Sequence, residues 1–277
     1  MKVFLSLFIL MSSVASLAAP STSIMSAEER KAMAQRWGGM LQTDYATSLY
    51  DQEDGSKSTA MDFKGEISYK LTRNYKVKFH LDATQDLQHQ EDSDLGMASL
   101  GLSHSKIKVA NQLFLLTPST SIRLPISRAD QRASFITAVS VELNTAINPS
   151  YLISKKLDLS ISLGATRYVH TYSEAENGDI NTQYKLSQAW YRVWMFTDWL
   201  GISAEVDHIN AWDYNGIQKE FYAHAEEIDF TLNKNWALAV GHQYGLTSVW
   251  AANQQDYNFN LVDEQNSLVF GQVTYTF

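Results

Sequence analysis

Apolar and polar residues alternate along two neighbouring segments of the chain, 60–71 and 75–85. A period of two places successive side chains on opposite faces of a β-strand, so each segment predicts a strand with one apolar and one polar face. The residues 72–74 between them predict a tight turn and therefore an antiparallel hairpin. The apolar face would carry Met61, Phe63, Gly65, Ile67, Tyr69, Leu71, Tyr75, Val77, Phe79 and Leu81.

The same alternation recurs along the rest of the chain and predicts about twelve strands. Short turns alternate with longer polar loops. An even number of strands places the N- and C-termini of the barrel at the same end. Ten or fourteen strands are the alternatives, because the pattern between 94 and 127 is the weakest. The predicted strands are 38–50, 60–71, 75–85, 94–108, 112–127, 132–153, 157–172, 183–196, 200–212, 219–232, 235–249 and a last strand after the loop 251–265.

Three places break the regular pattern. Pro149 lies inside the segment 132–153 and predicts an irregular strand there, because proline cannot donate a ladder hydrogen bond. The parity of the apolar residues changes across Glu226 and Glu227, which predicts a β-bulge at this pair. Aromatic residues on both faces of 188–196 leave the orientation of that strand open.

The last predicted strand carries Val269, Gly271, Val273, Tyr275 and Phe277 on one face. An apolar strand of this kind with a final aromatic residue resembles the C-terminal signature of Gram-negative outer-membrane β-barrel proteins. The resemblance implies an all-β fold, namely a transmembrane antiparallel up-and-down barrel of about 12 strands whose last strand pairs with 38–50. It also implies that Tyr275 and Phe277 form a signal for the barrel-assembly machinery, and that the partners include outer-membrane lipid and lipopolysaccharide.

Aromatic residues recur beside the predicted short turns. Such a distribution is typical of the aromatic girdle that a membrane barrel places at a lipid–water interface. The residues are Tyr69, Tyr75, Trp199, Trp236, Tyr275 and Phe277.

The first 37 residues do not belong to the alternating pattern. Lys2, an apolar run over 3–11 and small residues after it predict a secretory signal peptide that is cleaved after Ala18. Ser26 and Glu29 match a capping box and predict a short helix, with a disordered or surface-lying leader as the alternative. The predicted organisation is a signal peptide (1–18), a periplasmic extension (19–37) and a transmembrane barrel (38–277) in the outer membrane of a Gram-negative bacterium.

Composition narrows the classes of function. The net charge of −8 argues against a nucleic-acid partner, since such proteins need positive charge against phosphate. The absence of cysteine excludes disulfides and thiolate metal sites. No segment after the predicted signal peptide has the 18 uninterrupted apolar residues of a transmembrane helix.

If the apolar parity faces lipid, the opposite parity lines a lumen in which basic residues concentrate on 60–85 and acidic residues on later strands. Opposed charges predict a transverse field and a narrow, porin-like passive channel for small hydrophilic solutes. The alternative is that these charges pair and close the lumen, because twelve strands lie between filled eight-stranded barrels and open porins. The predicted lumen residues are Asp62, Lys64, Glu66, Lys70, Lys76, Lys78, His80, Asp82, Arg123, Glu142, Glu205 and Asp207.

An enzyme acting on lipid and a closed structural or adhesive barrel are the other classes. A lipolytic site needs a nucleophile beside a base, but Ser103 and His104 are adjacent and would face opposite sides of a strand. His224, near the glutamate pair, is another candidate base. An adhesive barrel would use the loop 251–265. The acidic runs at 51–54 and 91–94 lack EF-hand spacing, so the sequence predicts no metal site and no cofactor.

Overall fold

The computed structural model describes residues 36–50, 58–87, 93–248, 262 and 267–277. The predicted signal peptide, nearly all of the predicted extension and most of the loop 251–265 lie outside these residues. The described part contains thirteen strands, a short helix α1 (Arg128–Arg132) and a 3₁₀ turn at Pro149–Tyr151. The strands are β1 (Trp37–Ser48), β2 (Thr59–Lys70), β3 (Tyr75–Asp86), β4 (Ser93–His104), β5 (Ile107–Val109), β6 (Phe114–Leu124), β7 (Phe135–Ile147), β8 (Leu157–His170), β9 (Thr182–Met195), β10 (Leu200–Asp213), β11 (Gln218–Thr231), β12 (Trp236–Ser248) and β13 (Ser267–Thr276).

All strands belong to one antiparallel sheet that closes on itself. Each long strand pairs with its neighbours in the chain, β13 pairs with β1, and β6 pairs with β4 across the short β5. β5 also pairs with β6 and continues the path of β4, so the barrel has twelve long strands. The predicted fold class and strand number are therefore confirmed.

The alternation of side chains gives the barrel an apolar outer face. The outward side chains of β7 and β8 include Val141 and Leu163, which are 55% and 50% exposed in the isolated chain. They pair with Ala165 and Leu143, which share this face. Such a surface is stable where lipid covers it. Within the described residues, no helix has both the length and the apolar character needed to cross a membrane.

The two ends of the barrel differ in their connections. We call the end with the turns 71–74, 196–199 and 232–235 the short-turn end, and the end with the loops 125–134 and 171–181 the long-loop end. Aromatic side chains pair at the short-turn end, where Trp37 lies 4.8 Å from Tyr69 and Trp236 lies 4.8 Å from Tyr275 between ring centroids. This agrees with the girdle predicted beside the short turns.

Two of the predicted irregularities turn out differently. β7 ends before Pro149, which begins the 3₁₀ turn, so the predicted strand 132–153 is shorter than expected at both ends. The bulge predicted at Glu226 and Glu227 is wrong, because both residues stay in continuous register with β10 and β12. The register of β11 with β12 shifts instead between Tyr222 and His224. As a result, Glu227 faces the lumen and Glu226 faces outward.

The pairing also fixes the orientation of β9, which the sequence leaves open. Trp190 pairs with Ile161, and Trp194 pairs with Leu157, so both indoles lie on the outer face. Tyr191 pairs with Ser160 and Glu205 on the inner face.

The close approach of β11 and β13 to Gly241 on β12 can be tested by substitution. An added Cβ would collide with the backbone oxygen of Glu226 and come within 2.7 Å of the Phe270 ring. We expect Gly241→Ala to lower the free energy of unfolding by about 1–3 kcal/mol, since overpacking displaces neighbouring groups. Urea titration of the refolded barrel measures the change. Gly271→Ala is the matched control on the paired strand, because nothing lies within 4 Å of its added Cβ. Equal stability of the two variants would contradict the packing.

Candidate functional site

The lumen is the candidate functional site, and β2 and β3 supply its basic wall. Lys64 binds Asp44 at 3.0 Å, and Lys78 binds Glu66 at 2.9 Å, each across neighbouring strands. Lys70 pairs directly with Lys76 in the β2–β3 register. Among the described residues, neither of these two lysines has a carboxylate within ion-pair distance. The short-turn end of the lumen therefore carries a concentration of positive charge.

The other side chains of this hairpin are polar and form local contacts. His80 Nε2 lies 2.6 Å from an oxygen of Asp82 on the same strand. The Thr84 hydroxyl donates to Asp62 at 2.6 Å. These contacts orient the inner face of the hairpin without reaching across the lumen.

The acidic wall comes from β10 and β11. Glu205, Asp207, Glu227 and Asp229 lie on the inner parity of these two strands. Glu227 lies opposite Ser203, two residues from Glu205 on the same face, so the two carboxylates are neighbours in the wall. Three strands, β12, β13 and β1, separate this wall from the basic wall on one side, and five long strands separate them on the other. The two walls therefore lie on nearly opposite sides of the lumen.

At the long-loop end, the connection between β6 and β7 folds against the inner wall. Ser127 caps α1, and its hydroxyl accepts a hydrogen bond from the Asp130 backbone N–H at 2.9 Å. Asp130 is 5% exposed and accepts from the Arg123 guanidinium at 2.6 Å. Arg123 also lies 5.0 Å above the Phe135 ring. This set of contacts anchors the loop to the strand wall.

Aromatic side chains continue the same surface. The rings of His170 and Phe135 lie 5.5 Å apart, and those of His170 and Tyr214 lie 5.7 Å apart. The Tyr214 hydroxyl accepts from the His170 backbone N–H at 3.3 Å, so the loop between β10 and β11 is tied to β8.

Two cavities follow from these walls. One of about 590 Å³ lies at the short-turn end, where Lys70, Lys76, Lys78 and Glu142 are among its lining residues. The other, of about 310 Å³, lies at the long-loop end, where Arg123, Asp130 and Lys185 contribute charge. Charged side chains therefore line part of both cavities.

The twelve residues predicted to line the lumen all lie on the inner parity of their strands. Sequence reasoning missed Asp130, Lys185, Glu227 and Asp229 as site residues. Strand alternation alone signals Lys185, but the wrongly predicted bulge obscured the two acidic residues of β11. Nothing in the local sequence indicates that Asp130, in a loop, reaches Arg123.

Ser103 and His104 do not form a catalytic pair. The Ser103 hydroxyl contacts the Lys76 carbonyl oxygen at 3.4 Å on the inner side. His104 faces outward, and its ring packs edge-on against Tyr75 at 5.0 Å.

No protein-family model and no curated protein matches the sequence. Solved structures do match the fold. An outer membrane channel from Pseudomonas putida F1 superposes with a TM-score of 0.58 at 10% identity, over 87% of this chain and 95% of the channel. The NanC porin superposes with a TM-score of 0.55 at 8% identity, over 86% of this chain and 98% of the porin. The chain therefore has the fold of outer-membrane channel proteins.

The anchor at the long-loop end yields a prediction. Asp130→Ala removes the partner of Arg123 and the reciprocal cap of α1, so the loop 125–134 should open more often. We expect faster trypsin cleavage after Arg128 and Arg132 in the folded barrel, measured by mass spectrometry of the fragments. Asp179→Ala is the control, because Asp179 bonds only within its own exposed loop in the described part of the chain. Unchanged cleavage in Asp130→Ala would contradict the anchoring role.

Proposed function

We propose that the protein is an outer-membrane channel that conducts small hydrophilic solutes passively through the barrel lumen. The observation that carries this proposal is the arrangement of its ion pairs. Within the residues that the structure describes, every pair joins groups on one strand, on neighbouring strands, on a strand and the connection after it, or on adjacent connections, and none crosses the lumen. The charges therefore line the lumen instead of bridging it.

Opposed walls without bridging pairs produce a transverse field. Lys70, Lys76 and Lys78 attract anions at the short-turn end, and the acidic residues of β10 and β11 attract cations deeper in the lumen. Low-dielectric walls concentrate such a field, so solute charge and size would set the rate of passage. A closed, salt-bridged core is disfavoured by the same geometry.

Two proteins that share the fold support this function, since one is described as a porin and the other as an outer membrane channel. In the proposed topology, the short-turn end faces the periplasm and the long-loop end faces the outside, as outer-membrane barrels require. Export by a signal peptide at 1–18 and a periplasmic location of 19–37 are parts of the same proposal.

Charge reversal at the basic wall tests the channel. We expect the double variant Lys76→Glu, Lys78→Glu to shift the anion-to-cation permeability ratio toward cations, by up to about tenfold at low salt. Reversal potentials in planar bilayers under a salt gradient measure this ratio. Lys156→Glu is the matched control, because Lys156 lies in the connection between β7 and β8 at the short-turn end and pairs with the exposed Asp198.

Two outcomes would overturn the proposal. The first is an absence of discrete conductance steps from the folded wild-type barrel. The second is a permeability ratio that changes as much in Lys156→Glu as in the double variant, because the charges would then act from outside the lumen.

We further propose that Tyr275 and Phe277 form the signal that the barrel-assembly machinery reads. Phe277→Ala should slow insertion by reconstituted machinery severalfold, while unfolding of the finished barrel in urea changes little. Phe79→Ala is the control, since Phe79 is an outward phenylalanine on β3 with 37% exposure. An equal loss of insertion in both variants would remove the special role of Phe277.

A further inference from the structure

Three ionisable side chains meet on the outer face of the barrel, near the middle of β11 and β12. Glu226 pairs directly with His242, and His224 lies two residues from Glu226 on the same face. We call these three residues the wall cluster. Their outward direction follows from the register, because their partners on neighbouring strands, Val206 and Val269, lie on the outer parity.

This position is unusual for charge. A cationic side chain on the lipid face costs about 2–4 kcal/mol at the bilayer midplane, and an acidic one costs less but is still unfavourable. Ionisable groups within a membrane are costly and mark functional sites. Toward the short-turn end from the wall cluster, the outer face carries apolar residues again. Ile228 and Val240 are examples, with 48% and 57% exposure.

The three side chains are close enough to share one ion. His224 Nδ1 lies 2.7 Å from Oε1 of Glu226, and His242 Nδ1 lies 3.2 Å from Oε2. One ligand atom from each residue lies within 4.8 Å of the other two. Ligand atoms on one tetrahedral zinc ion are about 3.3 Å apart, so small side-chain rotations suffice to close the set.

The histidines also offer unused ring nitrogens. Nε2 of His224 and Nε2 of His242 are buried, and neither has a hydrogen-bond partner within the described part of the chain. The His224 side chain is only 3% exposed. It stacks on Tyr244, with ring centroids 5.4 Å apart and an interplanar angle of 11°. The stacked ring is held in place, so Nδ1 of His224 stays directed at Glu226.

We propose that the wall cluster binds one divalent transition-metal ion of the zinc type. Two imidazoles and a carboxylate are the ligands that Zn²⁺ accepts, and three protein ligands leave a fourth position open. The bound cation would offset the negative charge of Glu226, and a hydroxide ion in the fourth position would bring the site to neutrality. Metal binding therefore accounts for the convergence of two imidazoles and a carboxylate on the outer wall.

The rival explanation is a proton shared between Glu226 and the two histidines. A proton held in the Nδ1 contacts also neutralises the carboxylate, but it predicts no saturable uptake of a divalent metal ion. The outer-wall pair of His208 and Glu220, 2.6 Å apart, supplies an internal comparison with a single histidine.

Zinc chloride titrated into the folded, detergent-solubilised barrel tests the proposal by calorimetry. We expect one saturable site per chain. Cobalt chloride is the second probe, because Co²⁺ in a four- or five-coordinate site of nitrogen and oxygen ligands has a visible absorption far stronger than aqueous Co²⁺. Zinc should displace this absorption.

The variants locate the site. His242→Ala and Glu226→Gln should each weaken zinc binding by at least about tenfold, since even groups that only orient ligands have effects of this size. His208→Ala should leave the affinity unchanged. Retained heat-modifiable migration on gels shows which variants are folded, and Glu226→Gln keeps the shape of the side chain.

Three results would overturn the metal site. One is wild-type barrel with no saturable zinc binding and no strong cobalt absorption, which favours the shared proton. Another is a loss of affinity in His208→Ala as large as that in His242→Ala. The third is undiminished binding in folded Glu226→Gln together with folded His242→Ala.

Discussion

The structure depends on one constraint, the closure of the backbone hydrogen-bond network. A strand inside a bilayer has no water to satisfy its N–H and C=O groups, so every strand needs partners on both sides. Here β13 meets β1, where Gly39 and Phe277 exchange backbone hydrogen bonds of 3.0 Å in both directions. β4 pairs with β6 beyond the short β5, after the chain has turned at 110–113. Without these two seams the sheet would expose a long edge.

Closure also fixes the face that each side chain occupies. A slip of one residue would move Lys64 and Glu66 to the lipid side and bring Phe63 and Gly65 into the lumen. Because the register is fixed, ion pairs form along the wall between neighbouring strands. Lys64 with Asp44 and Lys78 with Glu66 are the examples. The transverse arrangement of charge is therefore a consequence of the same pairing that holds the barrel together.

The sequence predicts most of the barrel because period two is a strong signal where the two faces differ clearly. In the hairpin 60–85 one face is apolar and the other charged, and the strands Thr59–Lys70 and Tyr75–Asp86 match the prediction closely. The signal fails where tertiary contacts decide. Asp130 is an acidic residue in a connection between strands, yet it is buried, where it pairs with Arg123 and takes part in the capping box of α1. No local pattern encodes a contact between a loop and a strand wall.

The wrong bulge at Glu226 has a more general cause. Period two identifies two faces, but only an assumption about the surroundings says which of them meets lipid. The assumption fails on β10 and β11 near the long-loop end. There Ile209 and Phe221 line the cavity inside the barrel, while His208 and His224 face outward. A bulge at Glu226 and Glu227 would restore the expected parity, whereas β11 keeps its register with β10 throughout and places polar groups on the outer wall. Local rules that fail without strain in the backbone are typical of functional positions. The inverted stretch of β11 therefore places His224 and Glu226 on the outer wall, where two of the three proposed metal ligands lie.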